Sequence, residues 1–413
     1  MNAPWQLPRD WQWAIFKDVA RVASDLVDPS EFLDVPHIAP NHIEREMGRL
    51  LPYTTVRDDG VFSAKHRFHR GQLLYCKIRP YLAKVVLVDF EGLCSADMYP
   101  IDTDLDPRFL KWWMLTREFT RRAAGEQART VLPKINRRAL GQLPVPVPPF
   151  AEQRRIVDIL EDHLSRLDAG DLYLDSAGRR LVALRRSTLD EQFGVYGHDV
   201  RLGELVTGIE AGRSFGGSTG PACSDDWGII KVSAMTWGEF RPQENKAVPA
   251  EQADPRYEIH EGDLLVSRAN TGEYVGASVL VGPVRGRLLL SDKSLRLNIR
   301  PGVRPDWLWR ALQSPSARGQ MSALATGTKD SMRNISQKSL LQVRLPAHDS
   351  DHQRAAVNQF QAVEDALGVL ALQLAGWHKG AFAIRRAMLA AAFSGRMTGR
   401  HTDQEVIEEL VDE

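Results

Sequence analysis

The chain has few cysteines, no long apolar run and no net charge. Only three cysteines occur in 413 residues (Cys76, Cys94 and Cys223), none in a CxxC pair. That excludes a disulfide framework and a thiolate zinc site, and it points to a reducing compartment. No run of about 18 apolar residues exists, so no membrane span is expected. The start, MNAPWQLPRDWQW, has no basic segment leading into an apolar one, so no signal peptide is expected either. These absences predict a soluble, cytoplasmic protein.

Catalytic signatures are missing too. There is no GxxxxGKS or GxxxxGKT loop, no GxGxxG after a strand, no HExxH and no GxSxG. No Asn-Pro-Pro-Tyr or Asp-Pro-Pro-Tyr methyltransferase motif occurs. RSFGGSTG (213–220) is glycine-rich but lacks a lysine, and reads as a mobile turn. HRFHR (66–70) reads as a basic surface strand rather than a metal site. Neither a catalytic residue, a metal nor a cofactor is expected in this chain.

The 53 Lys and Arg cancel the 53 Asp and Glu, but the distribution is uneven. Residues 107–138 carry nine Lys or Arg against two acids, and residues 284–344 carry twelve against three. The end, 402–413, has six acids and no Lys or Arg, and reads as a solvated tail. Charge runs are usually solvated faces. Two basic segments in matching places are harder to dismiss.

They match because the sequence repeats. At an offset of 200, Ile135 meets Ile335, Leu140 meets Leu340, Gln142 meets Gln342 and Pro146 meets Pro346. Gln153-Arg154 then meets Gln353-Arg354, Arg185-Arg186 meets Arg385-Arg386, Leu189 meets Leu389 and Phe193 meets Phe393. Upstream the likeness is looser: GQLLYCKIRPYLAKVVLV (71–88) resembles GDLLVSRANTGEYVGASVLV (262–281). Each half is therefore a variable block followed by a constant one.

The constant blocks are helical. Phe360, Leu367, Leu374, Ala381 and Met388 recur every seven residues, with Val363, Leu370, Trp377 and Ile384 on a second track three residues on. That is a coiled-coil seam. Leu160, Leu167, Leu174 and Leu181 hold the equivalent positions in the first block. Gly170 stands where the other copy is bulky; it either kinks the helix or, if the helices pack antiparallel, makes room for Trp377. Residues 151–192 would form a rod of roughly 63 Å. It is launched by QLPVPVPPF, whose prolines forbid helix and fix an extended lead-in. At the second junction Asp349 or Ser350 offers an N-cap.

The variable blocks read as mixed α/β with strands dominant: QLLYCKI, KVVLVDF, WGIIKVSAM, DLLVSR and GASVLVG are short β-branched runs between turn residues. One amphipathic helix is expected within 107–125 and another within 305–324. The fold class is α+β, two mixed α/β domains joined by two long helices in a tandem repeat.

The PPxxEQxxIV junction (Pro148, Pro149, Glu152, Gln153, Ile156, Val157), the closing RRSTLDEQFG and RRAMLAAAFSG, and the alternation of variable and helical blocks carry a resemblance across essentially the whole chain. The chain resembles the specificity subunits of type I restriction–modification systems. The second junction departs from the motif, with His352 in place of the glutamate and no paired prolines. The resemblance implies target-recognition domains at 1–148 and 197–347, helical spacers at 149–196 and 348–398 that pair as an antiparallel coiled coil with pseudo-two-fold symmetry, and a tail at 399–413. It also implies double-stranded DNA, two methyltransferase subunits and restriction–translocase subunits as partners. S-adenosylmethionine, ATP and magnesium would sit on those partners.

Within that frame, loops rich in basic, amide and aromatic groups are the candidate DNA contacts. They are Lys77, Arg79, Tyr81 and Lys84 in the first block, and Arg268, Asn270, Thr271 and Tyr274 in the second. Arg can pair with guanine and Asn with adenine in the major groove. Arg129, Lys134, Lys329 and Arg333, just before each helical block, are placed for phosphate contact. For each, the plain alternative is an ordinary surface turn. Two other functions stay open: the recognition subunit of another phage-defence methylation system, and a coiled-coil scaffold that binds no DNA.

Overall fold

A computed structural model describes residues 4–125, 133–215, 220–236, 238–327 and 332–397. The expected tail at 399–413 and residues 216–219 of the glycine-rich stretch lie outside the described residues. The chain divides into two compact units, residues 1–174 with 375–413, and residues 175–374. Each unit holds one variable block, the start of one long helix and the end of the other.

In the first unit an antiparallel sheet runs in the order Ala20–Val22, Met98–Thr103, Leu73–Cys76, Val85–Leu87. All four residues of Leu73–Cys76 are buried. Leu73 and Tyr75 join a core with Trp113 and Phe119, while Leu74 joins a separate one with Ile38 and Phe68. Successive side chains of a strand alternate in face. The unbroken apolar run LLYC therefore means that both faces are covered. Helices Pro107–Leu115 and Arg117–Ala124 cover one face. The other meets a five-stranded sheet ordered Leu26–Val27, Lys65–Phe68, Gly92–Cys94, Pro36–Ile38, Thr54–Thr55. HRFHR is corrected here: Lys65–Phe68 is a strand, but its neighbours on both sides bury His66 and Phe68 and leave Arg67 exposed. Cys76 and Cys94 are buried free thiols, and burial pushes Cys76 up to about 11.

The second unit repeats the plan. Its antiparallel sheet runs Val206–Ala211, Ser294–Ile299, Leu264–Ser267, Ser278–Leu280. Leu264 and Val266 join Trp307, and Leu265 joins Ile230 and Met235. Helices Pro305–Gln313 and Pro315–Leu324 take the place of the first unit's pair. Each single helix expected from sequence is thus two. Thr116 and Ser314 are extended, with ψ of 151° and 146°, and their hydroxyls accept from Phe119 N–H and Ala317 N–H to cap the second helix.

The proline-rich lead-in is a strand, Pro144–Val147, paired antiparallel with Gln12–Ile15. A two-stranded ribbon has a free edge, where a residue without an N–H is tolerated. Trp113 Nε1 donates to the Pro144 carbonyl at 3.0 Å and fixes it to the core. Asp199–Arg201 and Arg344–Pro346 form the same closure in the second unit.

The long helices are Phe150–Phe193 and Ser350–Phe393. Asp349 is the N-cap of the second, accepting from Asp351 N–H at 3.0 Å and His352 N–H at 2.9 Å. The repeated glutamine explains how each helix is launched. Gln153 Oε1 accepts from Asp106 N–H (2.9 Å) and its Nε2 donates to the Pro148 carbonyl (3.0 Å). Gln353 does the same with Arg304 N–H (2.9 Å) and the His348 carbonyl (2.8 Å). Both are 3% exposed.

Within each unit the helix segments are cross-linked as antiparallel neighbours. Arg385 pairs with Asp168 and His378 with Asp171 in the first; Arg185 pairs with Glu364 in the second. Leu389 and Phe393 enter the first unit's core, where Phe393 packs on Phe109 and Trp113. Leu189 and Phe193 enter the second's, and Phe193 packs on Phe360.

The seam is only partly dry. Leu160, Phe360 and Leu367 are buried, and Leu167, Leu174, Leu181 and Leu374 are half-buried. Leu370 is 45% exposed and Trp377 59%. The idea that Gly170 makes room for Trp377 fails, because a Cβ on Gly170 would meet nothing within 4 Å. A 3.6-residue helix carries a heptad track off its seam by about 20° per heptad.

Candidate nucleic-acid interface

The candidate contacts come from stretches some fifty residues apart, and the fold joins them. In the first unit Ile78 bridges to Lys134. Ile135 N–H donates to the Lys77 carbonyl (3.0 Å) and Arg79 N–H to the Pro133 carbonyl (2.8 Å). Lys77, Arg79 and Lys134 therefore stand on adjoining backbone segments. Lys134 is exposed and its Nζ lies 3.1 Å from Asp97 Oδ1. The Lys77 ammonium lies 5.2 Å from the centre of the Tyr99 ring, which Arg137 also approaches at 5.7 Å. Sequence reasoning missed Tyr99 and Arg137. The ring is hidden within a strand that reads as core, while Arg137 was legible as part of the basic run after Lys134.

Arg79 is exposed at φ 47°, and Ala83 sits at φ 44°. Left-handed backbone at two non-glycine residues costs roughly 1–3 kcal/mol each, and such strain persists where surroundings over-determine it. Pro80 is buried between them and Tyr81 projects outward. Lys84 points inward instead, and its Nζ donates to the Pro40 carbonyl at 2.7 Å. Arg129 lies outside the described residues. His66, beside this cluster, has a pKa lowered first by burial and then by the Lys77 and Arg137 charges.

The second unit joins the same two stretches by strand pairing. Ala269 pairs with Asn334 and Asn270 with Arg333. Ile335 N–H donates to the Arg268 carbonyl (2.9 Å). Arg268 and Thr271 are exposed, and Tyr274 is half-buried. Asn270 Oδ1 accepts from Thr271 N–H at 2.8 Å, which holds the amide against its own loop. Arg333 is half-buried and donates to the Ala325 carbonyl at 2.6 Å. Lys329 lies outside the described residues.

Both units thus present the loop after the inner sheet strand together with the segment that leads into a helical launch. The scaffold is shared and the side chains differ. Among the described residues no helix is long and apolar enough to cross a membrane, and no group of three or more His, Cys, Asp or Glu is placed to hold a metal ion.

No family model matches the chain. It is 46% identical over 187 residues to the specificity subunit of the type I restriction enzyme EcoDI of Escherichia coli, covering 45% of this chain and 42% of that one. It is 36% identical over 143 residues to the EcoEI specificity subunit of Escherichia coli, covering 34% and 24%. The chain thus spans less than half the length of these curated relatives. Among solved structures, one from a study of complex assembly and conformational transition of the type I R-M system superposes with a TM-score of 0.74 at 20% identity, over 95% of this chain and all of that one. The HsdS subunit from Thermoanaerobacter tengcongensis superposes with a TM-score of 0.51 at 20% identity, over 95% and 99%. The chain is similar to the specificity subunits of type I restriction enzymes, in sequence over part of its length and in fold over nearly all of it.

Proposed function

We propose that this chain recognises a bipartite DNA site for a type I restriction–modification assembly and carries no catalysis itself. Each unit reads one half-site. The long helices set the gap between half-sites and dock two methyltransferase subunits, to which restriction–translocase subunits add. S-adenosylmethionine, ATP and magnesium belong to those partners.

One observation supports this reading above the rest: the same two stretches are joined in register in both units, with different side chains at the joined positions. A shared scaffold bearing unlike surfaces suits two unlike half-sites on one duplex. Lys77, Arg79, Tyr81 and Lys134 serve in the first unit, with Arg137 added to them. Arg268, Asn270, Thr271, Tyr274 and Arg333 serve in the second. Lys84 acts through its hold on Pro40. Arg129 and Lys329 are kept as phosphate contacts from sequence alone.

Arg268→Ala, co-expressed with the methyltransferase subunit, tests the assignment by methylome sequencing. A lost base contact costs about 1–3 kcal/mol at one position. The expected result is a relaxed base preference in one half-site and an unchanged other half. Uniform weakening across sequences would make Arg268 a phosphate contact. Absence of any salt-dependent affinity of the assembly for DNA would refute the function itself.

A further inference from the structure

The two units share a helix pair, and one place where they differ opens a cavity. In the second unit Asp190, on the first long helix, accepts from Ser316 N–H (3.1 Å) at the N-terminus of Pro315–Leu324. One turn on, Arg318 donates to the Glu273 carbonyl (2.7 Å). The matching caps Thr116 and Ser314 make Glu118 the counterpart of Ser316 and Thr120 the counterpart of Arg318. The offset of 200 sets Ala390 against Asp190. The first unit therefore has neither that carboxylate nor that guanidinium. A cavity of about 730 Å³ lies there, with Thr120 and Ala390 in its lining.

The lining is rich in donors. Arg117, Arg121, Arg385, Arg386 and Arg396 line it, with the carboxylates Glu46, paired with Arg386 at 2.8 Å, and Glu118, paired with Arg121 at 2.9 Å. Arg385 is 3% exposed; its Nη2 holds Asp168, while Nη1 has no hydrogen-bond partner among the described residues. Trp5 Nε1, Thr120 Oγ1 and Arg386 Nε, on other lining side chains, are likewise buried without a partner. Buried polar groups are nearly always satisfied, and the described residues supply no acceptor for these four donors. Tyr81, Phe382, Leu389 and Phe393 supply aromatic and apolar surface beside them.

We infer that this cavity binds a small organic oxyanion, with a phosphate or carboxylate head and an apolar or aromatic body. The head stands in for the Asp190 carboxylate at the N-terminus of Arg117–Ala124, where the helix end favours negative charge. Arg385 and Arg386 close on it with charge-assisted hydrogen bonds. The body rests on Phe382 and Leu389. This site is independent of the DNA-recognition proposal.

Calorimetric titration of the full chain with phenyl phosphate tests it, alongside Ala390→Asp, which installs the residue of the second unit, and Thr120→Glu, which sets a further carboxylate in the lining. The wild-type chain is expected to bind saturably, and each variant at least about tenfold more weakly, the equivalent of one charged contact. Inorganic phosphate is expected to bind more weakly than phenyl phosphate. No saturable binding by the wild-type chain overturns the inference, as does wild-type affinity in either folded variant, with circular dichroism as the folding check. If one variant fails to fold, the other decides. Equal affinity for inorganic phosphate would remove the organic body, and competition by a duplex oligonucleotide would make the head a backbone phosphate; either overturns the assignment.

Discussion

Gln153→Leu is the perturbation that probes the launching of the helices most sharply. The side chain keeps its approximate volume, so little packing changes, but two buried backbone groups lose their partners: Asp106 N–H and the Pro148 carbonyl. An orphaned buried group costs about 1–3 kcal/mol, so the pair should cost about 2–5 kcal/mol. Gln353→Leu removes the same two bonds in the second unit, where Arg304 N–H and the His348 carbonyl are only part-buried and water can replace some of what is lost. Its expected cost is about 1–3 kcal/mol. The adjacent exposed Arg154→Ala should change stability by less than about 0.5 kcal/mol. Urea denaturation measures the totals, and hydrogen exchange at residues 150–156 reports the local opening. A cost below about 0.5 kcal/mol for Gln153→Leu, or a larger cost at Gln353, would refute the reasoning.

The repeated arginines make a second comparison. Arg385→Met removes a buried partner of Asp168 and should cost roughly 2–4 kcal/mol, discounted from a fully buried pair because Asp168 is partly exposed. Arg185→Met, at a 45% exposed side chain, should cost less than about 1 kcal/mol; equal costs by denaturation would contradict the burial difference. Acidification should destabilise the protein. Burial lowers the folded pKa of His66, and also those of His37 and His348. Below about pH 6.5 the unfolded chain takes up protons that the folded one refuses, so stability is full above that pH and falls as pH drops through it. Melting midpoints recorded from pH 7.5 to 5.5 check this, and a rise on acidification would contradict it.

The architecture is legible wherever local pattern and tertiary burial agree. LLYC and LLVS read as strands because both faces of the inner sheet are covered, and the 200-residue offset exposed the repeat before any contact was known. Asp349 was likewise visible as one of two candidate caps, beside Ser350, and is the one that caps. Other features need the fold. Nothing local marks Gln12–Ile15 as the partner of the proline-rich strand, since that pairing spans most of the first block. Thr116 breaks a helix without a proline to announce it. The heptad track predicted Trp377 as seam, but it is 59% exposed, and a heptad track drifts off the seam of a 3.6-residue helix. At the candidate interface, Lys84 looked like its basic neighbours, and only its reach to Pro40 separates it from them.

The central claim is that the helices are a ruler between two readers. Seven residues inserted between 174 and 175, with seven more between 374 and 375, should lengthen the pair by roughly 10 Å. At about 3.4 Å per base pair that is roughly three base pairs. Methylome sequencing of cells that express this chain with the proposed methyltransferase partner should then show both half-sites unchanged and the gap longer by about three base pairs. Methylation retained at the original gap would contradict the account.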